Sequence, residues 1–131
     1  MIEQSYKLNM IPGGAPTVVN CSRYDVGSRN IVFELYCGAT AFHESLAGAT
    51  VTVEGTKPDG TGFSSTCTLS DDRVTVCLTK QMTDVAGRVT CGLTLTKDSE
   101  VLTTANFILN VEEAPLDKGA EIIKDAKGVK F

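Results

Sequence analysis

The chain has 131 residues, of which 42% are hydrophobic and 21% charged, and its formal net charge is −4. This length favours one domain whose core needs neither metals nor disulfides. No apolar run approaches the ~20 residues of a membrane helix, and an acidic surface without a basic stripe repels phosphates. We therefore expect no membrane insertion and no nucleic acid partner. The N-terminal residues do not have the pattern of a secretory signal, which predicts synthesis and folding in a cytoplasm.

The cysteines do not form a metal-binding pattern. None of the five is part of a Cys-x-x-Cys pair, and the single histidine, His43, lies six residues from the nearest cysteine. A cytosol keeps thiols reduced, and an odd number of cysteines cannot pair completely. We therefore predict free thiols that pack as small core hydrophobes, with no metal and no cofactor. The five are Cys21, Cys37, Cys67, Cys77 and Cys91.

The first third of the chain alternates apolar and polar residues with the period of a β-strand. Residues 6–10 and 17–22 are predicted strands, separated by a Pro- and Gly-rich break. Residues 31–37 give the clearest strand, with Ile31, Phe33 and Leu35 on one face. We read residues 38–48 as a surface connection.

A turn with a physical basis follows the next strand. In residues 57–60, Pro58 presets its backbone angle and Gly60 accepts a positive φ. This predicts a hairpin, and a further turn near residue 71 extends it into a three-strand meander. Residues 79–87 suit a single helical turn, whereas residues 89–95 and 101–111 return to strand alternation.

Together the segments predict an all-β fold, a β-sandwich of about eight short, mainly antiparallel strands. The apolar residues in the inward phase of successive strands are its predicted core: Phe33, Leu35, Val53, Val76, Leu93, Phe107 and Leu109. The strand pattern ends near Glu113, so residues 1–113 are the predicted domain. Residues 114–131, with weak helical spacing and two glycines, are predicted to be a linker or the start of a helical stalk, either helical or disordered.

No residues combine into a catalytic site. Asp71 and Asp72 are adjacent carboxylates in a turn, where capping or solvation is commoner than acid-base chemistry. His43, Ser22 and Ser28 do not define a triad, which is recognised by geometry. The sequence therefore predicts that the protein is not an enzyme.

Three residues are candidates for contact with a partner protein. Asp25, with Ser28 three residues later, favours an Asx-type turn closed by the serine, and partner contact is the alternative. Tyr24 precedes it in the same loop. Tyr36 lies opposite Phe33 and Leu35 on its strand, so its ring would point away from the core.

The order and spacing of several segments resemble the N-terminal domain of phage baseplate upper proteins, from tailed phages and prophages of Gram-positive bacteria. The resemblance extends from about Tyr6 to Val111. The segments are Tyr-Asp-Val-Gly-Ser-Arg-Asn-Ile-Val-Phe-Glu-Leu from residue 24, Leu-Ala-Gly-Ala-Thr-Val from residue 46, Lys-Pro-Asp-Gly from residue 57, Val-Cys-Leu-Thr-Lys-Gln-Met from residue 76, Gly87, and Ala-Asn-Phe-Ile-Leu-Asn-Val from residue 105.

The resemblance implies a structural protein of the virion tail baseplate, made in the bacterial cytoplasm. It implies a β-sandwich-like module that anchors the receptor-binding apparatus to the tail hub, with a downstream receptor-binding protein as second partner. A homo-oligomer, with a trimer as one possibility, would fit. The alternative reading is an Ig-like binding module that recognises a surface glycan or a host protein.

Overall fold

A computed structural model describes residues 2–41, 47–70 and 73–115 of the chain. The predicted residues His43, Asp71 and Asp72, and the predicted stalk from residue 116 onward, lie outside these ranges. The described residues form ten strands and one short helix: β1 Ile2–Asn9, β2 Thr17–Ser22, β3 Arg29–Cys37, β4 Thr40–Ala41, β5 Thr50–Thr56, β6 Gly62–Ser70, β7 Arg73–Cys77, α1 Lys80–Thr83, β8 Gly87–Lys97, β9 Glu100–Thr103 and β10 Phe107–Glu112.

The strands form two layers that share one strand. Their order is β1-β3-β7-β6-β5-β8-β10-β2, with β4 added to β3 and β9 added to β8. The first part of β6 pairs with β5 and its last three residues pair with β7, so the sheet bends around the core at β6. Strands β1 and β2 then meet through side chains. Gln4 Nε2 donates to the Asn20 carbonyl at 3.0 Å, and Thr17 Oγ1 donates to the Lys7 carbonyl at 2.9 Å. The result is a nearly closed, barrel-like sandwich.

The predicted all-β class with mainly antiparallel strands is confirmed. Within the described ranges, two strand pairs are parallel: β1 with β3, and β2 with β10. Because β1 joins one layer and β2 the other, the N-terminal segment crosses between the two ends of the sheet. The remaining pairs, including the predicted hairpin and meander of β5, β6 and β7, are antiparallel.

The core lies between the two layers, and all seven residues predicted for it are buried. Phe33 is at the centre, with its ring centroid 4.6 Å from that of Phe107 on the opposite layer. Alternation places these residues inward because successive side chains of a strand point to opposite faces. The same alternation buries Val74 and Val76 of β7.

Two predicted segments differ in the structure. Residues 101–111 are two strands, because the regular ladder is interrupted at Thr104. Its N–H still donates to the Leu93 carbonyl, but the Leu93 N–H donates to the Thr104 Oγ1 at 3.1 Å instead of to its backbone carbonyl. Residues 38–48, read as a surface connection, contain β4, which pairs with β3. Helix α1 is the predicted helical turn, and it joins β7 in one layer to β8 in the other.

The cysteines are not uniformly buried. All five are free thiols, but only Cys21 and Cys91 are buried, while Cys37 and Cys77 are exposed and Cys67 is intermediate. The prediction that every cysteine is a core residue is therefore wrong for Cys37 and Cys77, which lie at strand ends where alternation no longer specifies burial.

We expect these thiols to react in two classes. Burial raises the pKa of Cys21 and Cys67 to about 11 and that of Cys91 to about 12, which keeps them protonated at pH 8. With Ellman's reagent and no reductant, the native protein should show two fast thiols, from Cys37 and Cys77. Denaturant should then reveal all five. A total of three or one would mean that disulfides form, and five fast thiols would contradict the burial.

Candidate partner-contact site

One end of the barrel collects most of the polar interactions between loops. We call it the exit end, because β10 finishes there and the chain leaves the sheet at residues 113–115. The loop of residues 23–28, the turn after β5 and helix α1 also lie at this end. The N-terminus is there too, since the Ile2 N–H donates to the Ser28 carbonyl at 3.0 Å.

Asp25 holds the 23–28 loop in shape. Its Oδ2 accepts hydrogen bonds from the Ser22 N–H at 3.0 Å and from Arg29 Nε at 2.9 Å, and both charged side chains are mostly buried. Arg29 in turn donates to Gln4 Oε1 at 2.5 Å, which ties the loop to β1. The predicted Asx-type turn closed by Ser28 is therefore wrong: a turn does form at residues 22–25, but the Asp25 carboxylate bonds back to the Ser22 N–H and to Arg29.

Tyr24 has a left-handed backbone, with φ of 75°. This conformation costs a non-glycine residue roughly 1–2 kcal/mol, so neighbouring contacts must hold it. The Tyr24 N–H donates to the Thr83 carbonyl at 3.3 Å, and the buried Thr83 Oγ1 donates to the Asp25 carbonyl at 2.7 Å. The Arg23 guanidinium lies 4.8 Å from the centroid of the Tyr24 ring. The half-buried ring thus packs against Arg23 while its backbone is held by Thr83.

Two further ion pairs connect the segments of the exit end. Arg23 binds Glu113 through both carboxylate oxygens, at 2.9 and 3.0 Å, and its Nε donates to the Asp84 carbonyl at 3.0 Å. Lys57 Nζ lies 2.9 Å from Asp84 Oδ1, although the lysine is only 7% exposed. The sequence analysis missed these pairs, because their partners are 27 to 90 residues apart and no local pattern relates them.

Two apolar side chains at the exit end are open to solvent. Ile2 is 52% exposed and Val26 is 56% exposed. Protein contacts commonly combine an apolar centre with Tyr and Arg side chains that are held rigidly. The exit end offers these chemical types together: Tyr24 with Arg23, beside Val26 in the same loop.

Tyr36 is separate from this group. It lies near the far end of β3, seven residues from Arg29, which corresponds to about 23 Å along a strand. The Lys7 ammonium is 5.1 Å from its ring centroid, and its hydroxyl contacts Glu34 Oε2 at 3.4 Å. The structure thus brings Tyr24 and Asp25 together but leaves Tyr36 on the flank of β1 and β3.

The described ranges contain no group of three or more His, Cys, Asp or Glu side chains that could hold a metal ion. No helix in these parts of the chain is long and apolar enough to cross a membrane. The charged side chains described above bind one another in three ion pairs, so the arrangement is suited to rigid presentation of a surface.

These features define a class: a small barrel-like β-module with a network of ion pairs and loop hydrogen bonds at one end. The chain belongs to the BppU N-terminal domain family, whose model matches residues 4–129. A solved structure described as the N-terminal domain of phage TP901-1 ORF48 is similar, with a TM-score of 0.66 and 13% identity over 86% of this chain and 99% of that one. No curated protein matches the chain.

The family confirms the resemblance to the N-terminal domain of phage baseplate upper proteins. The protein is accordingly a β-rich structural component of a phage baseplate, and its family implies a location in the virion tail. The similar solved structure supports the fold and nothing further, since it is only 13% identical to this chain.

Proposed function

We propose that this domain anchors the receptor-binding apparatus of a phage or prophage baseplate to the tail hub through protein contacts. Membership of the BppU N-terminal domain family carries the proposal. The partners would be the distal tail or hub protein on one side and a downstream receptor-binding protein on the other. The domain has a mechanical role in this proposal, and catalysis forms no part of it.

The exit end supports this role physically. A domain that transmits load needs loops that do not rearrange. Three ion pairs and the hydrogen bond from Arg23 Nε to the Asp84 carbonyl join the 23–28 loop to β3, to the end of α1, to the β5–β6 turn and to Glu113. Tyr24 and Asp25 belong to this network, and we propose that both contribute to the partner contact, Tyr24 by its ring and Asp25 by fixing the loop. Tyr36 would extend the contact along the flank of β3.

Binding to the purified tail-hub protein of the same phage or prophage tests the proposal. We expect Tyr24→Ala and Tyr36→Ala each to raise the Kd by about tenfold or more, the effect of truncating a contact tyrosine. Thr66→Ala, an exposed change on β6, should leave the Kd unchanged. An unchanged Kd for either tyrosine variant would remove that residue from the contact. Failure of the native protein to bind the hub, with saturable binding of a glycan by the monomer, would instead support the Ig-like alternative.

The segment after Glu113 is proposed as a linker or the start of a stalk. The family model extends to residue 129, so this segment is part of the sequence that the family shares. Its apolar residues include Ile122, Ile123 and Val129, interleaved with Lys and acidic residues. Packing against copies of the same segment would bury side chains that a single copy leaves in water. A trimer is one assembly that such packing allows.

We expect a chain ending after Glu113 to keep its thermal midpoint within a few degrees. Glu113 is retained in this variant, so its ion pair with Arg23 remains intact. Any association that the full chain shows at micromolar concentration should be lost, as measured by light scattering. Unfolding of the shortened chain would show that the segment packs on its own barrel, and the stalk proposal would then be abandoned.

A further inference from the structure

Strand β9 is an exposed edge of the sheet. All four of its residues are exposed, and it pairs with β8 on one side only. No described residue forms a strand on its other side. Unpaired strand edges offer backbone N–H and C=O groups to another strand, so proteins usually cover or block them.

One hydrogen bond shows which groups point to the free edge. The Thr104 N–H donates to the Leu93 carbonyl at 3.0 Å, which continues the antiparallel register of Leu102 with Leu95. Residues that bond to the partner strand alternate along such a ladder. Thr104, Leu102 and Glu100 therefore face β8. The backbone groups of the intervening residues, Val101 and Thr103, face away from it.

The outer edge of β9 has no neighbouring strand among the described residues. Strands β9 and β10 lie end to end along the same side of β8, and β2 covers the outer edge of β10. However, β2 begins only at Thr17, opposite Phe107. Beside Ala105 the outer edge is bonded to Asn9, whose carbonyl accepts from the Ala105 N–H at 2.9 Å, but no described strand lies beside β9 itself. An open groove of about 450 Å³ lies here, lined by residues 103–106 and by the loop that contains Pro12 and Gly13.

Core-facing apolar side chains are partly exposed at this edge. Leu102 pairs with the buried Leu95, so both side chains point to the core face of the sheet. Leu102 is nevertheless 40% exposed. Val101, on the outer face, is 65% exposed. An added strand would cover Leu102 as well as satisfy the backbone groups, so the edge lacks both kinds of partner.

We propose that β9 pairs with β9 of a second copy of this chain, antiparallel and around a two-fold axis. The alternation of bonding groups permits the register that sets Val101 opposite Thr103 of the second copy and Leu102 opposite its own equivalent. This register forms four backbone hydrogen bonds and one leucine pair. It sets Glu100 opposite Thr104 of the second copy, so no like charges face each other across the pair.

A contact of four residues per copy is small. Its buried area lies well below the ~1,200 Å² of a stable interface. The free protein should therefore dimerise only weakly, at protein concentrations of about several hundred micromolar. In an assembly that holds copies together, effective concentrations reach the millimolar range, and the same contact would then be populated. The pairing is independent of hub attachment, because β9 and the exit end are distinct surfaces.

Site-specific crosslinking tests the register. In the proposed pair, Leu102 and its equivalent form a non-hydrogen-bonded pair with Cα atoms about 4.5 Å apart, which suits a disulfide. The full chain carrying Cys37→Ser, Cys77→Ser and Leu102→Cys should form a covalent dimer on mild oxidation. The same background carrying Ile2→Cys, which is exposed at the exit end, should yield at least tenfold less dimer.

Sedimentation of the full chain supplies a second test, in which the β9 dimer is measured as the additional association between micromolar and several hundred micromolar protein, beyond any association that the proposed stalk produces. Val101→Pro removes an N–H that faces the free edge, and proline is tolerated at such positions. This variant should lose the weak dimer while its thermal midpoint changes by only a few degrees; Ile2→Lys should dimerise like the native chain. If Leu102→Cys gives no excess of covalent dimer, or if Val101→Pro dimerises like the native chain, the proposal is overturned. Binding of a different protein along this edge, with no self-pairing, would also overturn it.

Discussion

Replacing Phe33 by alanine should lower the free energy of unfolding by about 3–5 kcal/mol, the usual range for a fully buried aromatic ring. Phe33 has no exposed surface, and its ring packs 4.6 Å from Phe107 and 6.3 Å from Tyr6. The expected loss is a large part of the 5–15 kcal/mol typical of a whole domain. It would remove the contact that joins the two layers at their centre.

Urea denaturation followed by circular dichroism measures this effect. Phe107→Ala should be similarly destabilising, and the double variant should lose less than the sum, because the two rings contact each other. Val26→Ala removes apolar atoms from a side chain that is 56% exposed, so it should stay within about 0.5 kcal/mol of the native value. A denaturation midpoint for Phe33→Ala that equals the native one would show that the core is wrongly assigned.

The second large effect is expected for Asp25→Ala, at about 2–3 kcal/mol. The substitution removes charge-assisted hydrogen bonds to Arg29 and to the Ser22 N–H, and it leaves the mostly buried Arg29 without its carboxylate. The strained backbone of Tyr24 would lose part of its support. The same variant should therefore bind the hub protein less tightly, as an indirect result.

Thermal and urea unfolding of Asp25→Ala, beside Glu3→Ala, separates the two roles of the residue. Glu3 is exposed on β1, so its replacement matches the charge change and should have little effect on stability. If Asp25→Ala keeps the native stability and loses only hub binding, the carboxylate acts by direct contact with the partner. If it changes neither, both roles are wrong.

Local pattern was sufficient to predict most of the strands and the core. Phe33, Val76 and Leu93 were assigned inward because strand alternation reports which face is buried, and Lys57 to Gly60 predicted the hairpin because Pro and Gly restrict the turn. These features depend on neighbouring residues only. The resemblance supplied the rest of the functional prediction, and the family match confirmed it at the level of a baseplate structural protein.

Features that join distant residues were not predictable in this way. Nothing near Ser22 or Glu112 indicates that β2 and β10 pair in parallel, since the period of a strand is the same in either direction. Tyr24, with its positive φ, lies at the third position of a turn in which the Asp25 N–H donates to the Ser22 carbonyl at 3.2 Å, but its hydrogen bond to Thr83, almost 60 residues later, has no local signal. Candidate contact residues could be named from their types, but the separation of Tyr36 from Tyr24 required the fold.

The parallel pairing of β2 with β10 also sets when the protein can finish folding. Strand β2 ends at residue 22, but β10, the strand that pairs with its edge, ends only at residue 112. A nascent chain on the ribosome would therefore carry β2 without its neighbour until almost the whole barrel had been synthesised. Sheets closed by such distant strands fold slowly, in milliseconds to seconds. Val19 and Cys21, which lie buried beneath the closed sheet, would therefore stay in contact with water until β10 pairs with β2.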